Sequence, residues 1–216
     1  MREIRRAAKA TTRALEDNGL RCCLFGSAAC SVYGISRTPN DIDMLVLTRD
    51  YDAEQIKALI VETNPRFYLT NSRNPRNTYR ILHFALDASG ERECKVDILV
   101  PGGELNLPRI PPGQINYATG SMGAPAMPLL ALLLLKLQGW DHHRAHYRPD
   151  MRAKQWDDID DIDELLAIAV DEHALELRTE RWMPKWFVNA AKTRVRDYVE
   201  EDPDSAYYWS ELGFDV

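Results

Sequence analysis

Cysteine is scarce in this chain, at four in 216 residues, and Cys22 and Cys23 are adjacent, which leaves them badly placed to bond to each other. A disulfide framework is excluded and a reducing compartment is expected. Long apolar runs are lacking too. The longest, Ala124 to Leu135, has twelve residues with two prolines among them, too short for a bilayer core of about 30 Å. The opening residues Met1 to Arg6 have none of the apolar stretch of a signal peptide. A cytoplasmic protein with no membrane partner is the expectation. Glycine and proline, at 11 and 12, are too few for a collagenous or low-complexity chain, and no internal repeat is present. There is no basic excess either: the net charge is −6, so no extensive nucleic-acid surface is expected.

What the chain does have is 45% hydrophobic residues, enough for one good core or two modest ones. Its charge is uneven. Residues 1–120 hold 16 basic and 14 acidic groups, whereas 121–216 hold 11 and 19. Periodicity predicts an opening helix over 3–17, stopped by Asn18-Gly19, then a short strand Leu20–Phe25 and a short helix Ala28–Tyr33 ended by Gly34. A strand over Asp41–Leu47, a helix over 53–63, and strands at Phe67–Thr70, Tyr79–Leu86 and Glu93–Val100 follow. The stretch from Pro101 to Pro128 has six prolines and five glycines and reads as a long irregular crossing. We place the boundary there, with domains at 1–120 and 121–216. Helices dominate the second, at Pro128–Leu137, from 150 or 151 to Val170, and at Pro184–Val199. The aromatic tail (Tyr207, Tyr208, Trp209, Phe214) is expected to dock on the body. The fold class is α/β (α+β), a small mixed sheet flanked by helices with a helical C-terminal subdomain.

In Asp41-Ile-Asp43-Met-Leu-Val the two carboxylates are two residues apart on a strand, so they share one face while Ile42, Met44 and Val46 line the core. Like charges about 4 Å apart repel by about 4 kcal/mol at an effective dielectric of 20, so such a pair needs cations, a shared proton or a basic neighbour. A divalent ion fits. Lys95-Val-Asp97-Ile-Leu-Val repeats the pattern and supplies a third acid, and oxygen ligands of this kind suit Mg²⁺. The alternative is a set of surface aspartates at strand starts. Upstream, Leu24-Phe-Gly26-Ser27 is a strand running into Gly-Ser at a helix start, where backbone amides can cradle phosphate; Ser27 could equally be an ordinary N-cap. Arg37, four residues before Asp41, could reach a phosphate or simply sit in a turn.

Gly26-Ser27, thirteen intervening residues, Asp41-Ile-Asp43 and the later strand acid Asp97 resemble the DNA polymerase β-like nucleotidyltransferase superfamily over about residues 20–165. The resemblance implies a nucleotidyltransferase core in which the Gly-Ser turn holds a nucleoside triphosphate. Asp41, Asp43 and Asp97 would hold two Mg²⁺ (or Mn²⁺) ions, and Asp97 would help activate an acceptor hydroxyl. Leu130–Leu137 with Lys136, followed by the acidic helix around Asp158, looks like the helical region of minimal nucleotidyltransferases of the abortive-infection toxin type. That likeness would bring Lys136 to the nucleotide phosphates and Asp158 near the cleft, although Asp157 stands where a basic residue is usual. Implied is transfer of NMP from NTP to a hydroxyl acceptor with release of pyrophosphate. The acceptor could be a small molecule, a protein or a tRNA. The competing reading is a catalytically inactive nucleotide-binding or protein-interaction module on the same fold. Two other patterns read more blandly: the run Asp157–Glu164, six acids in eight residues, as a solvated helix face, and His142, His143 and His146 as surface histidines rather than a zinc grip.

Overall fold

The computed structural model describes residues 1–74, 76–103, 105–118 and 120–216. It divides into two compact units, Met1–Met127 and Pro128–Val216. The division falls at Met127 rather than at 120 because the segment just before it is bonded into the first unit. Leu24 donates to Pro125 O at 2.7 Å and accepts from Met127 N at 3.0 Å, Ala126 exchanges bonds with Asn116, and the Tyr33 hydroxyl donates to Met127 O at 2.6 Å. This segment also covers the outer edge of the sheet, which would otherwise offer unpaired backbone groups.

The first unit opens with α1 (Arg2–Asp17), whose buried stripe Ala7, Ala8, Thr11, Ala14, Leu15 recurs at helical spacing. Gly19, at φ 70°, turns the chain out of it. Then come β1 (Cys22–Phe25), α2 (Gly26–Tyr33), β2 (Ile42–Val46), α3 (Ala53–Thr63), β3 (Phe67–Asn71), β4 (Arg80–Ala85) and β5 (Glu93–Leu99). A reciprocal capping box fixes the start of α3: Gln55 N donates to Asp52 Oδ1 at 2.8 Å and Asp52 N to Gln55 Oε1 at 2.9 Å. Among the described residues the five strands form one sheet in the order β1-β2-β5-β4-β3. Only β2 and β5 run parallel; the other neighbours are antiparallel.

Register assigns every strand residue to a face. Ile42, Met44, Val96, Leu82, Phe84 and Phe67 share one face and are all buried; α1 and α3 pack on the sheet. Asp43, Asp97, Lys95, His83 and Tyr68 share the other, which is half-exposed or exposed at these positions. Leu45 lies on that second face yet is fully buried, so β2 buries residues on both sides where alternation predicted one. The four cysteines are free and buried; burial pushes the Cys22 and Cys94 thiols up to about 12, leaving them protonated and unreactive.

The second unit is helical: α4 (Leu129–Arg144), α5 (Pro149–Arg152), α6 (Lys154–Ala167), α7 (Lys185–Glu201) and α8 (Ala206–Glu211). Helix α4 runs well past Leu137, straight through Gly139, because its face remains apolar to Trp140, which is fully buried. The expected single helix from 150 to 170 is broken at Ala153 and ends in a π turn over Ile168–Glu172. Trp140, Tyr198 and Trp209 stack edge to face with centroids 4.9 and 6.3 Å apart. Of the tail aromatics, Trp209 and Phe214 dock in the core, while Tyr207 stays exposed. No helix among the described residues is long and apolar enough to cross a membrane.

Candidate functional site

The in-register pairing of Asp43 with Asp97 on adjacent parallel strands brings the two carboxylates side by side on the exposed face. Asp41 precedes β2 by one residue and is half-exposed. Gly26 packs against Asp43. It has φ +57°, and a Cβ there would overlap Asp43 Oδ2 and sit 3.2 Å from Asp43 Cγ, so both the turn and the approach of the acid require glycine. Ser27 does not cap the helix that follows. The cap position of α2 is Phe25, and no side chain closes the helix start, so its first amides depend on water or a ligand. Ser31 Oγ donates to Ser27 O at 3.3 Å and to Arg37 O at 3.5 Å, joining α2 to the turn that carries Arg37.

Sequence reasoning missed Lys95. Its Nζ lies 2.5 Å from Asp97 Oδ2. Burial works against the ammonium, but the Asp97 hydrogen bond and the fields of Asp97, Asp41 and Asp43 outweigh it and hold Lys95 above the usual lysine range. The signal was present in the strand period, since Lys95 and Asp97 are two apart and therefore on one face. Beyond Lys95 the open face continues with His83 stacked on Tyr68, centroids 5.3 Å apart. His83 Nε2 meets Thr70 Oγ1 at 3.0 Å. Its Nδ1 is 3.1 Å from Glu93 Oε1, misaligned for a hydrogen bond. Glu93 accepts from the Tyr68 hydroxyl and pushes that phenol up to about 12.

Among the described residues no three His, Cys, Asp or Glu side chains are gathered closely enough to hold a metal ion by themselves. Asp97 is turned toward Lys95 instead of toward a shared centre with Asp41 and Asp43. The donor set still fits Mg²⁺ chemically: all ligands would be carboxylate oxygens, and Mg²⁺ is usually held by one or two carboxylates completed by waters and substrate phosphates. Asp43 and Asp97 supply that minimum.

The remaining sequence-predicted residues belong to the second unit. Lys136 on α4 is largely shielded, with Nζ 2.6 Å from Asp161 Oδ2 and 3.4 Å from Asp158 Oδ1. His143, two turns further along α4, meets Asp158 Oδ2 through Nδ1 at 2.5 Å. Asp161 is 1% exposed and Asp158 6%. Half of the solvated-face expectation for 157–164 is therefore corrected: Asp158 and Asp161 face α4, while Asp157 and Asp160 face water. Asp158 and Asp161 each stand four residues before an inward-facing apolar side chain, Ile162 and Leu165, and that spacing carried the signal. The histidines are not gathered for zinc. His146 Nδ1 accepts from Arg148 N at 3.1 Å and its ring stacks on Tyr147.

The sheet order, the lone parallel pair and the Gly-Ser turn against the paired acids make up a nucleotidyltransferase-like fold. The solved structures bear this out. The chain is similar over its whole length to an antigenic nucleotidyltransferase-like protein from Paracoccidioides brasiliensis, at TM-score 0.70 and 12% identity, covering 95% of that chain. It is also similar to JHP933 from Helicobacter pylori, at TM-score 0.51 and 15% identity over 94% of this chain and 76% of that one. No protein-family model matches the sequence, and no curated protein matches it.

Proposed function

We propose that the chain is a metal-dependent nucleotidyltransferase that moves NMP from an NTP onto a hydroxyl acceptor and releases pyrophosphate. The observation that carries this reading is the register match of Asp43 and Asp97 beside Gly26, which leaves two carboxylates and an uncapped helix start together on an open face. Asp41, Asp43 and Asp97 would hold Mg²⁺ or Mn²⁺, which supplies charge neutralisation at the reacting phosphate and orients it for in-line displacement. The α2 amides at Gly26 and Ser27 bind phosphate oxygens. Asp97 Oδ1, the oxygen not engaged by Lys95, accepts the proton of the attacking hydroxyl as the new P–O bond forms and the bond to the β-phosphate oxygen breaks. Nucleotide roles for Arg37, Lys136 and Asp158 rest on the resemblance, and a role for Lys136 has to operate alongside its ion pairs with Asp161 and Asp158.

The Lys95–Asp97 pair favours a second reading, a nucleotide-binding module that works without metal. Incubation with each α-labelled NTP, Mn²⁺ and a cell extract, followed by separation of protein, RNA and small-molecule fractions, decides between them. Label in one fraction, lost in Asp43→Asn with the melting temperature within about 2 °C of the parent, supports transfer and names the acceptor class. NTP binding with no label in any fraction selects the binding module.

A further inference from the structure

Helix α1 carries cations where a helix built only for stability would not have them. Arg2, Arg5 and Arg6 lie in its first turns, against the positive end of the helix dipole. Glu3, the acid of that turn, is tied to Arg92 at 2.5 Å. Arg6, Lys9 and Arg13 follow one another at about one per turn along a single stripe. They line an open groove of about 500 Å³ between α1 and the turn from α3 into β3, with Thr63, Asn64 and Arg66 on the opposite wall. One acid, Asp17, stands at its end. Among the described residues Arg6, Lys9 and Arg13 form no ion pair. Two of the four cations are held in place. The Lys9 stem passes so close to Gly123 that a Cβ there would overlap Lys9 Cε. Arg66 donates to Ala85 O and lies over the Phe84 ring, 4.6 Å from its centroid.

We propose that this groove binds the phosphodiester backbone of a nucleic-acid strand without reading its sequence. A straight row of cations, about 10 Å from Arg6 to Arg13 at 1.5 Å per residue, suits a linear polyanion better than a compact one. Guanidinium groups pair readily with phosphate oxygens. Phe84 is buried beneath Arg66, so the groove offers no ring on which a base could stack, and recognition is confined to the backbone. A membrane surface fits less well, because no exposed large apolar side chain lines the groove to enter lipid. The strip is narrow, and it coexists with an overall acidic chain because its charge is local. It lies on the helix-covered face of the sheet, opposite Asp43 and Asp97, so its binding is read independently of any transfer reaction.

The test is fluorescence anisotropy of the full chain with a labelled oligouridylate of about 15 nucleotides, across a salt series. Four phosphate contacts predict a log–log salt slope of about −2.8, or roughly fiftyfold weaker binding on going from 50 to 200 mM salt. Arg6→Glu combined with Arg13→Glu should weaken binding at least about tenfold and reduce the slope by about 1.4, with an unchanged circular dichroism spectrum because both side chains are exposed. Arg13→Lys should retain it. Unchanged affinity and slope in the charge-reversed variant would overturn the proposal. So would binding of tripolyphosphate, or of phosphatidylserine vesicles, with no binding of the oligonucleotide.

Discussion

In the first unit Asp43 and Asp97 stand half-exposed on one sheet face, with Asp43 packed against a glycine whose lack of a Cβ admits its carboxylate. In the second, Asp158 and Asp161 are buried and end on Lys136 and His143. In the first arrangement the acids stay in contact with water, and the Lys95 ammonium that meets Asp97 is itself exposed. The second uses the protein's own cations to make a buried acidic pair tolerable, since a buried charge left alone is strongly penalised. The same residue type occupies two environments, and burial separates them where composition cannot.

The sharpest way to break this contrast is Lys136→Met. It keeps most of the packed stem but leaves two buried carboxylates short of a cation, and we expect a loss of about 3–5 kcal/mol in urea unfolding followed by circular dichroism. A loss below about 1 kcal/mol would mean that the cluster is hydrated and that the two units handle their acids alike. Gly26→Ala probes the first unit. The left-handed backbone alone costs about 1–2 kcal/mol, and the methyl also displaces the Asp43 carboxylate, so Mn²⁺ affinity by calorimetry should fall together with stability. Retained Mn²⁺ affinity would detach Gly26 from the acid site.

The smallest effect concerns Asp163, beside Asp202 and Asp160 in the acidic half. Burial first, and then the fields of Asp202 and Asp160, hold its carboxyl above the usual range despite the hydrogen bond from Tyr198. The native state therefore binds this proton more tightly than the unfolded chain does. Stability falls as pH rises from about 3.8 through the raised value, and the penalty persists at neutrality. Asp163→Asn keeps an acceptor for Tyr198 and should raise the melting temperature at pH 7 by under about 2 °C, with no gain below pH 3.8. A gain that persists at low pH would point to a cause other than charge.

Much of this was legible in the sequence. Helical spacing of alanines and leucines, the Asn18-Gly19 and Gly34 stops and the alternation around Asp41 to Val46 mark elements whose signals are local. The shared face of Asp43 and Asp97 also follows from the strand period. What pairing decides was not legible: the insertion of β5 between β2 and β4 and the covering of β1 by residues 125–127. Nor could polarity alone reveal that two members of an acidic run point inward, because that depends on α4 presenting Lys136 and His143 at the matching height.

The position of β5 has a consequence for how the molecule comes into being. Because β5 lies between β2 and β4, the strand carrying Asp97 can meet the strand carrying Asp43 only after the whole intervening chain, with α3, β3 and β4, has been looped back. Hairpin contacts within β3, β4 and β5 are short-range and form early, whereas the parallel closure spans a long loop and carries the larger entropic cost. A partly folded chain would hold a finished hairpin sheet and no paired acids. Emergence of the two-carboxylate site is thereby tied to completion of the sheet.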